Sequence, residues 1–227
     1  MVCEHLEACT SGELLKLIIN IPPRCMKSLL TSVFWFSWSW IKDPSSRWLC
    51  SSYAQSLSTR DSKKCRDLIT SPWYQRRWGD RFCLAGDQNQ KTRFENDKHG
   101  FRVATSVDGT ATGEGGSHLV VDDPLKASDA RSRTAIQSVI DWWDGTMSTR
   151  GNDPKRTRVV IVMQRLHEKD LTGHLLSKEL GFEHLCLPGE YESSRSFATS
   201  IGTDWRTTDG ELLWPERFGI KEIESLK

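Results

Sequence analysis

The stretch Asn20-Ile21-Pro22-Pro23-Arg24-Cys25-Met26-Lys27-Ser28 decides the fold of this chain. An apolar run ending at Ile19 precedes it, and a long apolar segment, 29–41, follows it. The order strand, tight loop, Lys-Ser, helix is typical of a phosphate-binding loop. That motif has glycine where this chain has Ile21 and Met26, so the segment alone is equally compatible with an ordinary strand-to-helix junction.

A second motif, Leu119-Val120-Val121-Asp122-Asp123-Pro124, is an apolar strand that ends in two carboxylates. In a Walker-B strand the first acid, here Asp122, holds Mg²⁺, and the second, Asp123, orients or deprotonates the attacking water. The alternative is an Asp-Asp-Pro turn that caps a buried strand. The two motifs lie about ninety residues apart with another strand between them, which is the order of a RecA-like NTPase core.

A third group of polar residues follows the apolar strand 158–163. Ligands bind at the carboxyl ends of strands in open α/β sheets, so Gln164 or Arg165 is placed to sense a γ-phosphate. The spacing of His167 and His174 matches no standard metal-binding pair, and we predict no metal there. The glycine-rich segment 108–117 is either a flexible connection or a mobile loop near the nucleotide or DNA.

The remaining pattern predicts an α/β fold, in which strands alternate with helices and form a mainly parallel central sheet covered on both faces. An antiparallel hairpin is expected at 92–96 and 101–104, across Asp97-Lys98-His99-Gly100. A helix over 128–147 would begin near Ser128 or Asp129. The other predicted elements are strands at 14–21, 47–53, 118–121 and 158–163 and helices at 28–41, 56–69 (stopped by Ser71-Pro72) and 168–180 (closed by Gly181).

The composition limits the class of protein. The 227 residues carry a net charge of +1, which argues against a uniformly basic nucleic-acid surface. Seven cysteines without a Cys-x-x-Cys pair support neither a zinc ribbon nor a disulfide framework, so we expect a reduced, cytosolic compartment. The first residues, Met1-Val2-Cys3-Glu4-His5, lack the basic-then-apolar pattern of a signal peptide, and the apolar stretch 29–41 is too short to predict a membrane span.

Taken together, these motifs resemble the large terminase subunit of tailed bacteriophages and prophages. The resemblance covers residues 5 to 218. The matching pieces are Pro22-Pro23-Arg24-x-x-Lys27-Ser28, Ala111-Thr112-Gly113-Glu114-Gly115-Gly116, Val120-Val121-Asp122-Asp123-Pro124, Met163-Gln164-Arg165-Leu166-His167-Glu168-x-Asp170-Leu171 and Leu213-Trp214-Pro215-Glu216-Arg217-Phe218.

The resemblance implies a RecA-like P-loop ATPase domain that uses ATP and Mg²⁺ to drive double-stranded DNA into an empty procapsid. Lys27, Arg24 and Asp123 would be the catalytic residues, and Ser28 with Asp122 would hold Mg²⁺. The nucleotide-binding residues implied are Pro23, Arg24, Cys25, Met26, Lys27, Ser28, Gln164 and Arg165, the last two forming the segment that couples hydrolysis to movement.

The resemblance also implies a domain organisation and partners. Residues 1–187 would form the ATPase domain, and 188–227 a tail or linker toward a nuclease domain that this chain does not contain. The implied partners are double-stranded DNA, the portal protein, the small terminase subunit and further copies of the chain in a ring on the procapsid. The resemblance also implies that the protein acts in the cytoplasm of the bacterial host and has no membrane partner.

This chain departs from the family at three positions. Met26 replaces the glycine that many large terminases have before the lysine. Asp123 replaces a frequent glutamate and is one methylene shorter. Thr112 stands roughly where some members carry an arginine that acts on a neighbouring subunit's ATP.

Two other functions are compatible with the sequence. One is a nucleotide-binding or assembly module of a truncated prophage terminase that no longer hydrolyses ATP. The other is a helicase, although we find no second RecA-like half. Basic clusters at 63–66, 76–81 and 155–158 are more simply explained as solvated faces, and the sequence assigns none of them to DNA.

Overall fold

A computed structural model describes residues 1–109, 113–195 and 198–224 of the chain, with only the main chain of residues 87 and 88. The helices are α1 Val2–Ser11, α2 Trp35–Lys42, α3 Gln55–Ile69, α4 Pro72–Trp78, α5 Arg133–Gly145, α6 Leu171–Ser177 and α7 Ile220–Glu224. A π-helical segment, Leu29–Phe34, runs directly into α2. The strands are β1 Lys16–Asn20, β2 Arg47–Ser52, β3 Leu84–Asn89, β4 Arg93–Asn96, β5 Phe101–Ser106, β6 His118–Asp122, β7 Arg158–Met163 and β8 Glu183–Cys186.

The eight strands form one sheet in the order β3-β4-β5-β2-β6-β7-β1-β8. The neighbours from β5 to β8 pair in parallel, and β4 is antiparallel to both β5 and β3. Strand β7 therefore lies between β1 and β6. The chain has the predicted α/β architecture, with a mainly parallel sheet, flanking helices and an antiparallel pair.

The central strands are buried on both faces, which explains their uninterrupted apolar sequences. In β1, Leu17 and Ile19 pack into one core cluster and Ile18 into the other. The first cluster contains the aromatic side chains of α2, among them Trp40, and the second contains the apolar face of α5. Successive side chains of a strand point to opposite faces of a sheet, so each strand contributes to both layers.

The predicted strands and the hairpin are confirmed, while several helix boundaries were wrong. Helix α5 begins after Ser132, whose hydroxyl accepts a hydrogen bond from the N–H of Ala135 at 3.2 Å, and residues 127–129 form a separate 3-10 turn. Helix α6 covers only Leu171–Ser177. It begins at Leu171 because Asp170 caps its N-terminus, and it ends before Glu179, whose φ of 50° is left-handed. Ser71-Pro72 ends α3 as expected and also starts α4, which the sequence pattern did not predict.

Residues 188–218 contain little regular structure, but they pack against the rest of the chain. Leu213 and Phe218 lie against the first core cluster, and the N–H of Leu213 bonds to the carbonyl of Gly189. The side chain of Arg206 is buried and binds Asp204 at 2.7 Å. Strand β8 directly precedes this segment and pairs with β1, so the sheet extends further than predicted.

Candidate functional site

The carboxyl ends of three adjacent strands meet at one edge of the sheet. The register pairs Asn20 at the end of β1 with Met163 of β7, and Asp122 of β6 with Val162 of β7. The loops that follow these strands are therefore neighbours in space. They contain the three polar segments that the sequence singled out.

Asp122 is the buried carboxylate of the site. Its two oxygens accept hydrogen bonds from the hydroxyls of Ser28 and Ser32, each at 3.0 Å. Burial, and then the neighbouring Asp123 carboxylate, raise the pKa of Asp122 to about 7, against the opposing effects of the Ser28 bond and the Lys27 charge. The carboxyl group is thus held in a fixed orientation at the start of the helix that follows β1.

Asp123 faces the same cleft because the main chain bends at this residue. Side chains of consecutive strand residues would point to opposite faces of the sheet. Asp123 has φ 45°, a left-handed conformation that aspartate tolerates better than most residues. Its carboxylate is 2.8 Å from Nζ of Lys27 and also accepts the main-chain N–H of Gln164 at 3.3 Å.

The β1–α2 loop, residues 21–28, has two non-glycine residues with positive φ. Arg24 has φ 62° and Met26 has φ 59°. Met26 stands where a phosphate-binding loop has glycine, so its backbone takes the left-handed conformation that glycine adopts without steric cost. Its side chain is 38% exposed, and no core volume depends on it. The chain therefore forms this conformation despite the substitution.

A cleft of about 400 Å³ lies between the β1–α2 loop, the end of β6 and the start of α3. Six of the residues predicted for the site line it, namely Pro23, Lys27, Ser28, Asp122, Asp123 and Gln164. Arg24, Cys25, Met26 and Arg165 do not line it. Arg24 is exposed on the loop, whereas Cys25 is buried in the first core cluster, where burial raises the pKa of its thiol.

Arg165 is held at the start of α6. Its Nε donates to the fully buried Asp170 at 3.2 Å, and its terminal nitrogen donates to the carbonyls of His167 and Glu168. It lines a second depression of about 310 Å³, beside Pro22 and Leu187. Gln164 lines both this depression and the cleft, whereas Arg165 lines the depression and not the cleft.

The sequence did not single out several residues of the cleft. Ser32 lies four residues after Ser28 on the same helical face, and this spacing is the signal that would have found it. Tyr53, which follows β2, and Arg60 and Asp61 on α3 line the opposite wall. Asp61 is buried and pairs with Arg60 at 3.1 Å. No motif marked α3, because it approaches the site only through the fold.

The oxygens of Ser28 and Asp122 fit a magnesium ion. Proteins bind Mg²⁺ through one or two carboxylates together with substrate phosphates and water, rather than by a cage of protein ligands. Within the ranges given above, no group of three or more His, Cys, Asp or Glu residues forms such a cage. His174 instead binds Asp144 at 3.0 Å.

The described part of the chain contains no helix long and apolar enough to cross a membrane. Thr112, the position compared with a trans-acting arginine, lies outside the described residues. Only part of the glycine-rich segment 108–117 can therefore be placed.

The sheet order and the cleft at its carboxyl edge define the class as an open α/β fold with a cleft at the strand ends, where such folds bind their ligands. Within that class, the fold is that of bacteriophage large terminases. The structure of the HK97 bacteriophage large terminase matches 83% of this chain with a TM-score of 0.55 at 13% identity. The large terminase of a thermophilic bacteriophage matches 81% with a TM-score of 0.50 at 7% identity.

The chain spans only part of these proteins, 39% and 44% of their respective lengths. Comparisons with protein families and with curated proteins found no match. At such low identity the likeness establishes the fold, and the function must be argued from the residues of the cleft.

Proposed function

We propose that this chain is the ATP-hydrolysing motor domain of a viral terminase large subunit. The observation that carries this proposal is the convergence of Lys27 and Ser28 with Asp122 and Asp123 in one cleft. Phosphoryl transfer to water requires a basic group, a hydroxyl and two acids. Here the Lys-Ser pair and the Asp-Asp pair come from two separate segments of the chain. The terminase fold supports the choice of this motor among P-loop enzymes.

Each of the four convergent residues has a proposed role. The main chain of 23–28 would cradle the phosphates beside the helix N-terminus, and Lys27 would neutralise the β- and γ-oxygens. Ser28 and Asp122 would hold Mg²⁺, which when bound neutralises charge on the phosphates. Asp123 would orient and deprotonate the attacking water, because its carboxylate is partly exposed at the cleft surface.

Two further residues are proposed to respond to the nucleotide. Gln164 donates its main-chain N–H to Asp123, so a shift of this carboxylate would move the start of the segment 164–170. Arg165 would transmit that shift to α6 through Asp170. Arg24, exposed on the loop, would contact a phosphate only after its side chain turns inward.

The proposed work of the motor is the translocation of double-stranded DNA into a procapsid in the host cytoplasm. It would act as a ring of copies together with the portal protein and the small subunit. A nuclease domain would follow the ATPase domain in the complete family protein, with residues 188–227 leading toward it.

Two substitutions test the catalytic assignment. Lys27→Ala is expected to weaken ATP binding at least tenfold, because the phosphates lose their principal cation. Asp123→Asn keeps the size of the side chain but removes the base, and turnover is expected to fall by about 10²–10⁴-fold while ATP still binds. Phosphate release and binding of a fluorescent ATP analogue measure the two effects separately.

Lys98→Ala, an exposed lysine of the β4–β5 hairpin, is the control for loss of a positive charge. Unchanged turnover in both Lys27→Ala and Asp123→Asn would contradict the proposed mechanism.

A non-hydrolysing nucleotide-binding or assembly module is the second candidate. It is favoured by the left-handed backbone of Met26, a conformation that costs a non-glycine residue about 1–2 kcal/mol. The same experiment separates the candidates, since a module of this kind would bind ATP with Mg²⁺ and release no phosphate.

A further inference from the structure

The end of α3 and the short helix α4 form a basic surface, which we call the α3–α4 surface and define as residues 63–81. This stretch contains six Lys or Arg and two Asp, giving a net charge of +4, whereas the rest of the chain carries −3. Its exposed cationic side chains include those of Arg76, Arg77 and Arg81. Positive charge is therefore concentrated here in a chain that is almost neutral overall.

Four arginines of this surface are available to a partner. Among the described residues, none of Arg66, Arg76, Arg77 and Arg81 forms a salt bridge with a carboxylate, whereas Lys63 and Lys64 each lie within 4 Å of an aspartate. Arginine binds phosphate oxygens through parallel N–H donors and is less strongly hydrated than lysine. An array of arginines that no carboxylate neutralises is thus suited to an anionic backbone.

Helix α4 is anchored on its opposite side. The hydroxyl of Tyr74, which is 2% exposed, donates to the carbonyl of Ser37 at 2.8 Å, and the ring contacts Trp78 and Phe82. The amide of Gln75 donates to the carbonyl of Ile69 at 2.7 Å, which ties α4 to the end of α3. These contacts hold α4 in place on α3 and the core, and a preorganised surface lowers the entropic cost of binding.

Trp73 orients one of the arginines. Its ring is 48% exposed, and the guanidinium carbon of Arg77 lies 4.7 Å from the ring centroid. Arg77 also donates to the main-chain carbonyl of Trp73 at 3.1 Å. A cation–π contact of this kind fixes the guanidinium while leaving N–H donors for a phosphate.

We propose that the α3–α4 surface binds the phosphate backbone of double-stranded DNA. The inference rests on the proposed packaging function for the choice of partner. The same helix reaches both sites, because Leu57, Arg60 and Asp61 of α3 line the cleft while Arg66 lies in its last turn. At 1.5 Å per residue, the 15-residue helix spans about 22 Å.

The test is binding of the full chain to a short fluorescein-labelled DNA duplex, followed by fluorescence anisotropy over a salt series. Arg76→Ala with Arg77→Ala is expected to weaken binding by roughly tenfold or more at low salt. It should also lower the slope of log affinity against log salt by about 2, because two phosphate contacts are lost. Tyr74 remains in place, so circular dichroism should show an unchanged fold.

The matched control is Lys155→Ala with Arg156→Ala, which removes the same charge from another exposed loop. We call the double substitution Arg76→Ala with Arg77→Ala the α4 variant. If the control weakens DNA binding as much as the α4 variant does, the effect is one of overall charge and the proposal is wrong. The proposal also fails if the α4 variant binds DNA as well as wild type, or if wild type binds no duplex. Loss of a self-associated species in the α4 variant with unchanged DNA affinity would instead identify a protein interface.

Phosphate release from ATP by the same proteins keeps the two proposals separate. If the wild-type chain hydrolyses ATP but its DNA binding does not depend on α4, the proposed ATPase activity stands and the proposed DNA-binding surface is wrong. If the chain binds DNA through α4 but does not hydrolyse ATP, the DNA-binding surface stands and the proposed motor function is wrong.

Discussion

At the scale of single residues, the two acids of the site differ in environment although they are adjacent in sequence. Asp122 is buried between two serine hydroxyls, whereas Asp123 is partly exposed and paired with Lys27. Only a group near the cleft surface can reach a water molecule, and only a fixed one can hold an ion in a set position. The division of roles proposed for the two acids follows from this difference in burial.

The raised pKa of Asp122 makes a prediction about stability without ligands. The folded protein holds a proton on this carboxyl up to about pH 7, while the unfolded chain releases it near pH 3.8. Over that window the native state binds more protons, so the free energy of unfolding falls as the pH rises, by at most about 1.4 kcal/mol per pH unit from this group.

Asp122→Asn removes this titration while keeping the shape of the side chain. Relative to wild type, the variant is expected to gain stability steadily from pH 4 to pH 7 and to show no further gain above. Urea unfolding at a series of pH values, with a chelator present, measures the difference. A difference that stays constant across the series would contradict the raised pKa.

At the scale of elements, the β1–α2 loop is held in shape by its surroundings more than by its own residues. Lys27 reaches across the cleft to Asp123, Ser28 donates to Asp122, and Cys25 is buried in the core. These contacts compensate for a left-handed residue that is not glycine. The loop thus adopts a left-handed conformation at the position where the motif would have glycine.

Met26→Gly tests this interpretation of the loop. Relief of the left-handed strain and the greater flexibility of glycine nearly cancel, so stability is expected to change by less than about 1 kcal/mol. ATP affinity should rise, because the backbone can approach the phosphates more closely. Met26→Val should lower stability by more than about 1 kcal/mol, since a β-branched residue is a steric outlier in this region.

Thermal unfolding and titration with ATP and Mg²⁺ measure both Met26 variants. Equal behaviour of Met26→Gly and Met26→Val would show that the backbone at this position carries no strain. Weaker ATP binding by the glycine variant would mean that the side chain itself contacts the nucleotide.

At the scale of the whole molecule, the C-terminal segment 188–218 packs beside the cleft-forming loop. Pro22 lies near Gly189, and the charge of Arg217 is close enough to lower the pKa of the Cys25 thiol against the larger effect of burial. Within the segment, Arg206 is 1% exposed, binds Asp204 and donates to the carbonyl of Glu211 at 3.1 Å, so it holds the turns of the segment together. Its predicted role as a linker toward a nuclease domain stays a prediction.

Arg206→Ala is expected to lower the free energy of unfolding by about 3–5 kcal/mol, because Asp204 would remain as a buried, unpaired charge. Arg195→Ala removes an exposed pair with Glu192 and should cost less than about 1 kcal/mol. Urea unfolding compares the two variants, and limited proteolysis should cut the 188–218 segment faster only in Arg206→Ala. Similar losses of stability in the two variants would show that the buried pair stabilises the protein no more than the exposed pair does.

Much of the architecture could be predicted because it follows from local patterns. Runs such as 158–163 are apolar throughout, since a strand covered on both faces has no polar side. Strand β3 and helix α4 were missed because their sequences lack that signal. Leu84–Asn89 contains Gly and polar residues, and Pro72–Trp78 is a single short helix whose position depends on contacts of Tyr74.

By itself, the sequence determined the alternation of strands and helices and the order of the three polar segments, because periodicity and turn residues act over short range. Only the tertiary structure decided that Asp123 turns toward Lys27, that Met26 adopts the conformation of a glycine, and that Arg165 lies against Asp170 outside the cleft. The contact between Asp123 and Lys27 joins residues far apart in the chain and leaves no local pattern. The pair Arg165–Asp170 is local in sequence, and only its position relative to the cleft depends on how the strands are arranged in the sheet.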